Sequence, residues 1–169
     1  MGYELPVTLP ATLTLGQLRI RYHDARHTRP RAVLQMLYGY DIMFAECLRD
    51  ATLQRAVTEA ARVRMRAVRE FPRHAGFITQ YILSLEADAF ERMGDKERSI
   101  KLLMRRLSHR ACVGRHRLYS YWRLGDLQLA VGRESAARES YRRGLQHAPR
   151  NEREIVKDIR NRLRGIERA

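Results

Sequence analysis

Residues 122–149 read WRLGDLQLAVGRESAARESYRRGLQHAP, with Gly125, Gly132, Ala137 and Gly144 spaced among apolar residues at helical intervals. Smallness repeated in this way has three physical explanations: a catalytic turn, a DNA-reading helix-turn-helix, or two helices that cross closely. Gly125 and Ala137 lack bulk where paired helices approach, which lets axes come within roughly 8–10 Å. Gly132 permits a left-handed turn between the two helices, and Pro149 marks the end of the second. Tyr141 and Leu145 then fill the space towards neighbouring elements. The stretch is predicted to be a tightly packed helical hairpin.

The same design recurs upstream. Residues 90–107, FERMGDKERSIKLLMRRL, superimpose on residues 128–145, QLAVGRESAARESYRRGL, at an offset of 38, with Gly94 on Gly132, Leu103 on Tyr141 and Leu107 on Leu145. Pro72 and Pro149 lie 77 residues apart, about two such periods. A period in the thirties with two helices per unit is the mark of a helical solenoid.

The hairpin resembles the tetratricopeptide repeat. Tyr121, Leu124, Gly125, Gly132, Ala137, Tyr141, Gly144 and Pro149 occupy that family's aromatic, Leu-Gly, turn, small, aromatic, small and closing positions. A second unit matches at Ala87, Phe90, Gly94, Ser99, Leu103 and Leu107, but carries Glu86, Arg106 and Ala111 where Leu, a small residue and Pro are usual. A first matches at Ala60, Ala67, Val68 and Pro72, with Leu48 and Arg64 in place of a small and an aromatic residue. The resemblance implies an all-α, right-handed solenoid of about three units (41–74, 80–111 and 118–151) closed by a capping helix at 152–166. It also implies a concave groove lined by Tyr81, Asp88, Arg92, Tyr119, Trp122, Asp126 and Leu129, with Arg123 beside the only Trp. Family members that grip a C-terminal carboxylate use Lys, Asn and Arg there. Ser84, Asp88 and Asp126 do not supply that set.

Periodicity supports the same class along the rest of the chain. Leu34, Leu37, Tyr38, Phe44 and Leu48 recur at helical spacing after Pro30, and further helices are predicted at about 52–70, 76–92, 96–108, 116–130, 134–147 and 152–166. The last places Ile155, Ile159, Leu163 and Ile166 on one face. Residues 31–169 therefore read as one helical domain. Residues 1–30 alternate as a strand at Leu18, Ile20 and Tyr22, yet Thr14 and Gln17 form a capping-box pattern. They are read as a partly extended arm leading into a short helix.

Charge is the unusual feature of composition. The chain has 33 basic residues against 19 acidic ones, a formal net charge of +14, and Lys occurs only at 96, 101 and 157. Arginine suits bidentate contact with phosphate or carboxylate, although a GC-rich genome enriches it without functional cause. Arg66, Arg105 and Arg143 fall at equivalent places in the three units, extended by Arg62, Lys101 and Arg142 into a basic row. The row is solvated or touches an acidic protein or RNA. The sequence expectation is a non-enzymatic, protein-binding scaffold, adaptor or assembly subunit. The alternatives are a basic component of a ribonucleoprotein or organellar complex, and a chaperone similar to the small repeat chaperones of bacterial secretion systems, which tend to be acidic.

Other chemistry finds little purchase. A helix-turn-helix would place Ala four residues before the turn Gly, where Gln128 stands. His109, Cys112 and His116, or His23 and His27, are the metal candidates, and neither group offers four ligands at a recognised spacing. No nucleophile elbow, phosphate loop or paired-carboxylate pattern occurs, so no cofactor is expected. Cys47 and Cys112 do not form a disulfide framework, and the N-terminus lacks a secretory pattern. Cytoplasm is the expected compartment, an organellar matrix the alternative.

Overall fold

The computed structural model describes residues 31–168. Every regular element among them is an α-helix: α1 Arg31–Arg49, α2 Leu53–Glu70, α3 Ala75–Arg92, α4 Lys96–Ser108, α5 Gly114–Ala130, α6 Glu134–Gln146 and α7 Arg153–Arg168. The six helices predicted after residue 50 begin and end within two residues of those observed. The arm expected over residues 1–30, with His23 and His27, lies outside the described residues.

The two turns that begin α4 and α6 show why the offset of 38 appears in the sequence. Gly94 and Gly132 have φ of +84° and +75°, a region that costs an L side chain about 1 kcal/mol or more. Asp95 then caps α4, its Oδ1 accepting from the Arg98 backbone N–H at 3.0 Å.

Each helix packs chiefly on its neighbours in sequence, most extensively α5 on α6 and α3 on α4, while α3 also reaches α1 and α7 reaches α5. The core forms three successive clusters. Leu37, Tyr40, Phe44, Ile78 and Ile82 dominate the first, where Cys47 is also buried. Ile100, Leu103, Leu124 and Leu127 form much of the second. Leu118, Ala137, Tyr141, Ile159 and Leu163 form the third, so the apolar face of α7 is used.

Closeness rests on small residues. The residues that α2 buries are all alanines, Ala56, Ala60 and Ala67, and the Tyr40 hydroxyl donates to the Ala56 carbonyl at 2.9 Å. On α5, the Tyr141 ring occupies the space a Cβ on Gly125 would need, with Cδ1 and Cζ only 2.7 Å from it. A Cβ on Gly144 would meet Tyr121 Cβ at 3.2 Å. The departures at Arg64 and Glu86 are each other's partners. The α2 guanidinium bonds the α3 carboxylate, with both largely shielded from water.

Gly125→Ala is expected to cost about 1–3 kcal/mol by driving the Tyr141 ring off its seat. Gly39→Ala has open space around the new methyl and should stabilise α1 by roughly 0.5–1 kcal/mol. Opposite shifts of the thermal midpoint in these two variants check the crossing.

Candidate functional site

Residues expected to line a groove come from α3 and α5, and the structure sorts them into four groups. Tyr81 is removed from the groove: it is 1% exposed, and its hydroxyl donates to both Asp41 carboxylate oxygens at 2.9 and 2.8 Å. Asp41 lies on α1, two helices before the α3 that carries Tyr81.

Asp88, Arg123 and Asp126 are used internally. Arg123 on α5 reaches back to Asp88 and Glu91 on α3 at 3.5 and 2.5 Å, and Arg92 holds the other Asp88 oxygen at 3.0 Å. Likewise, Arg162 of α7 reaches Asp126 of α5 at 3.0 Å. An Asp–Arg rung therefore joins α3 to α5 and recurs between α5 and α7. Burial raises the Asp126 pKa, against the opposing hydrogen bond from Tyr141 and the charge of Arg162.

Trp122 faces the terminal helix. Its Nε1–H donates to Asp158 at 2.8 Å, the Arg162 guanidinium lies over its ring at 5.9 Å, and Tyr119 meets it edge-on at 5.7 Å. The Arg162 and Trp122 hydrogen bonds hold the Asp158 pKa below the usual carboxylate value. Tyr119 and Leu129 remain half-buried and Arg92 exposed. The sequence-derived groove is thus mostly a helix–helix interface.

A polar centre that sequence reasoning missed lies deeper. Arg106 of α4 is 0% exposed, and its guanidinium donates to Gln80 Oε1 at 3.1 Å, Ser84 Oγ at 3.1 Å and Ser120 Oγ at 2.9 Å. Its Nη2 lies 3.3 Å from His116 Nδ1, which must act as acceptor. The bonded partners are neutral side chains, and burial lowers the Arg106 pKa to about 10. Small Ser84 and Ser120 make room for this long side chain. Serines facing a mid-helix Arg were the available sequence signal. His116 is pushed down to about 4 by burial, then by Arg106 and Arg115. Cys112 is buried beside Ser120, and no group of three or more metal-binding side chains occurs among the described residues.

The basic row is exposed throughout. Arg62, Arg66, Arg142 and Arg143 already lie within 4 Å of Glu59, Glu70, Glu167 and Glu139, respectively. Among the described residues no carboxylate lies that close to Lys101 or Arg105. Among the described residues, one recess of about 460 Å³ lies between α1 and α2, floored by Met36, Tyr40 and Met43, and another of about 280 Å³ lies between α4 and α6 over α5. No described helix is long and apolar enough to cross a membrane. The chain matches no family model, no curated protein and no solved structure. Function must therefore be argued from these surfaces.

The buried centre makes stability pH-dependent. His116 takes a proton near pH 6.5 when unfolded but only near 4 in the fold, so its contribution is complete above about 6.5 and lost as pH falls towards 4. At pH 5 the loss should be about 2 kcal/mol in urea melts, and His116→Gln should flatten that decline. Arg106→Met, which strips the donors from Gln80, Ser84 and Ser120, should cost about 2–4 kcal/mol. The His116 pKa, followed by NMR, should rise in that variant.

Proposed function

We propose that the chain is a tetratricopeptide-like stack of three helical hairpins closed by α7, and that it acts as a non-enzymatic scaffold holding a protein partner. Support for the stack comes from the left-handed glycines at matched positions, the Gly125–Tyr141 crossing and the repeated Asp–Arg rung. The resemblance placed the partner in the groove of the first helices. With Asp88, Arg123, Asp126 and Trp122 engaged inside the molecule, the binding surface shifts to the second helices, α2 and α4.

One observation carries this reading. Met65 and Met104, 39 residues apart and matched in the repeat, are 67% and 56% exposed, each followed by an exposed arginine, Arg66 and Arg105. A solvated row requires no large apolar residue at the same place twice. Methionine is pliable and polarizable, and exposed apolar surface rimmed by charge marks protein contact more than phosphate contact.

A ribonucleoprotein component remains the second reading, on the strength of the +14 charge. Only Lys101 and Arg105 of the basic row stand clear of carboxylates, so single-stranded RNA held there would show a log–log salt slope of roughly −1.4 for two phosphate contacts.

A photo-crosslinking residue in place of Met65 or Met104 separates the readings. The scaffold predicts protein adducts at both positions that still form when irradiation is carried out in about 0.5 M salt, roughly three times physiological ionic strength. Adducts to RNA alone, or none at either position, would refute it.

A further inference from the structure

Resting on the scaffold reading, we infer that the recess between α4 and α6 receives an acidic amphipathic helix from the partner, with a leucine-sized anchor seated against Tyr121. The recess holds about 280 Å³, with Met104, Leu107, Tyr121 and Leu124 among its lining residues and Glu139 and Arg143 on the α6 side. That volume falls just short of the ~300–1,000 Å³ typical of small-molecule pockets, and suits one or two inserted side chains. Met104 stands at its edge with more than half its surface in water, although Leu107 and Leu124 beside it are buried. An apolar anchor would cover that exposed surface.

Charge selects the flanks of the occupant. Lys101 and Arg105 lie three residues before and one after Met104 on α4 and have no carboxylate within reach among the described residues. On the α6 side the one lining carboxylate, Glu139, is paired with Arg143 at 2.6 Å, so that wall carries no net charge. Cations without a carboxylate partner therefore stand next to Met104 on the α4 rim alone, which complements a helix that carries Glu or Asp on the edge lying over α4. A channel between two helices accommodates a third by the helix-in-groove mode, read out through anchors at i, i+3 or i+4 and i+7. A basic or uncharged amphipathic helix would leave Lys101 and Arg105 without a counter-charge. An acidic segment without anchors would leave Met104 wet.

The probe is a synthetic 18-residue helical peptide with three Leu on one face, four Glu beside them and Ala or Gln elsewhere, titrated into the full chain carrying ¹³C-methyl methionine. The Met104 methyl is expected to shift saturably while those of Met36 and Met43 stay in place. Met104→Glu and Lys101→Glu, both surface changes, should each weaken binding at least tenfold, and Met65→Glu should change it less than twofold. A silent Met104 methyl would overturn the inference. So would equal binding of the peptide with Leu replaced by Ser, or displacement of the peptide from Met104 by oligouridylate at equal concentration. Protein adducts at Met65 together with a silent Met104 leave the scaffold standing and remove the acidic helix. Saturable peptide binding at Met104 with no protein adducts at either position leaves the recess's preference standing and removes the scaffold.

Discussion

The ring of Tyr141 lies on the backbone of Gly125, and much of the arrangement depends on that approach. With nothing but a hydrogen on the α5 side, α6 comes close enough for Gly144 to settle against Tyr121 and for Ala137 to be sealed completely. The same approach brings the Tyr141 hydroxyl to Asp126, where α7 also delivers Arg162. A single close crossing thus decides where the terminal helix lands, and α7 in turn covers Trp122.

Arginine serves two structural purposes here as well as whatever it does at the surface. Arg64, Arg123 and Arg162 bind carboxylates on other helices, joining α2 to α3, α3 to α5 and α5 to α7. Arg106 is different, since its surroundings offer oxygens and a ring nitrogen without negative charge. The count of arginines is therefore a poor guide to which cations face solvent without a partner. Arg64, Arg106 and Arg123 are engaged within the fold, whereas Lys101 and Arg105 are exposed with no carboxylate within 4 Å among the described residues.

Helix positions were legible because apolar spacing, Gly94, Gly132 and the prolines are all local signals. The small positions were legible too, since closeness can be achieved only by removing side-chain atoms. What escaped was any pairing that depends on a third helix. Tyr81 has the right register for an inner face, but register cannot show that α1 places Asp41 over its hydroxyl. Trp122 could have faced solvent or a neighbour, and only the landing site of α7 decides. Arg64 and Glu86 look like two separate lapses from a pattern until α2 and α3 are set side by side, when they become one compensated exchange. Arg106 looked like a third lapse, and its explanation is spread over Gln80, Ser84, His116 and Ser120.

Those four partners have a mechanical consequence. Gln80 and Ser84 belong to α3, His116 and Ser120 to α5, and the cation they surround to α4, so no isolated pair of these helices can satisfy it. A guanidinium still charged at neutral pH would stay hydrated in a lone α3–α4 hairpin and could shed its water only when α5 closes over it. In arrays whose modules are individually viable, ends can fray while the middle persists. Here the sealed cation ties α3, α4 and α5 to one another, so opening any one of them strands a buried charge and fraying at this junction is disfavoured.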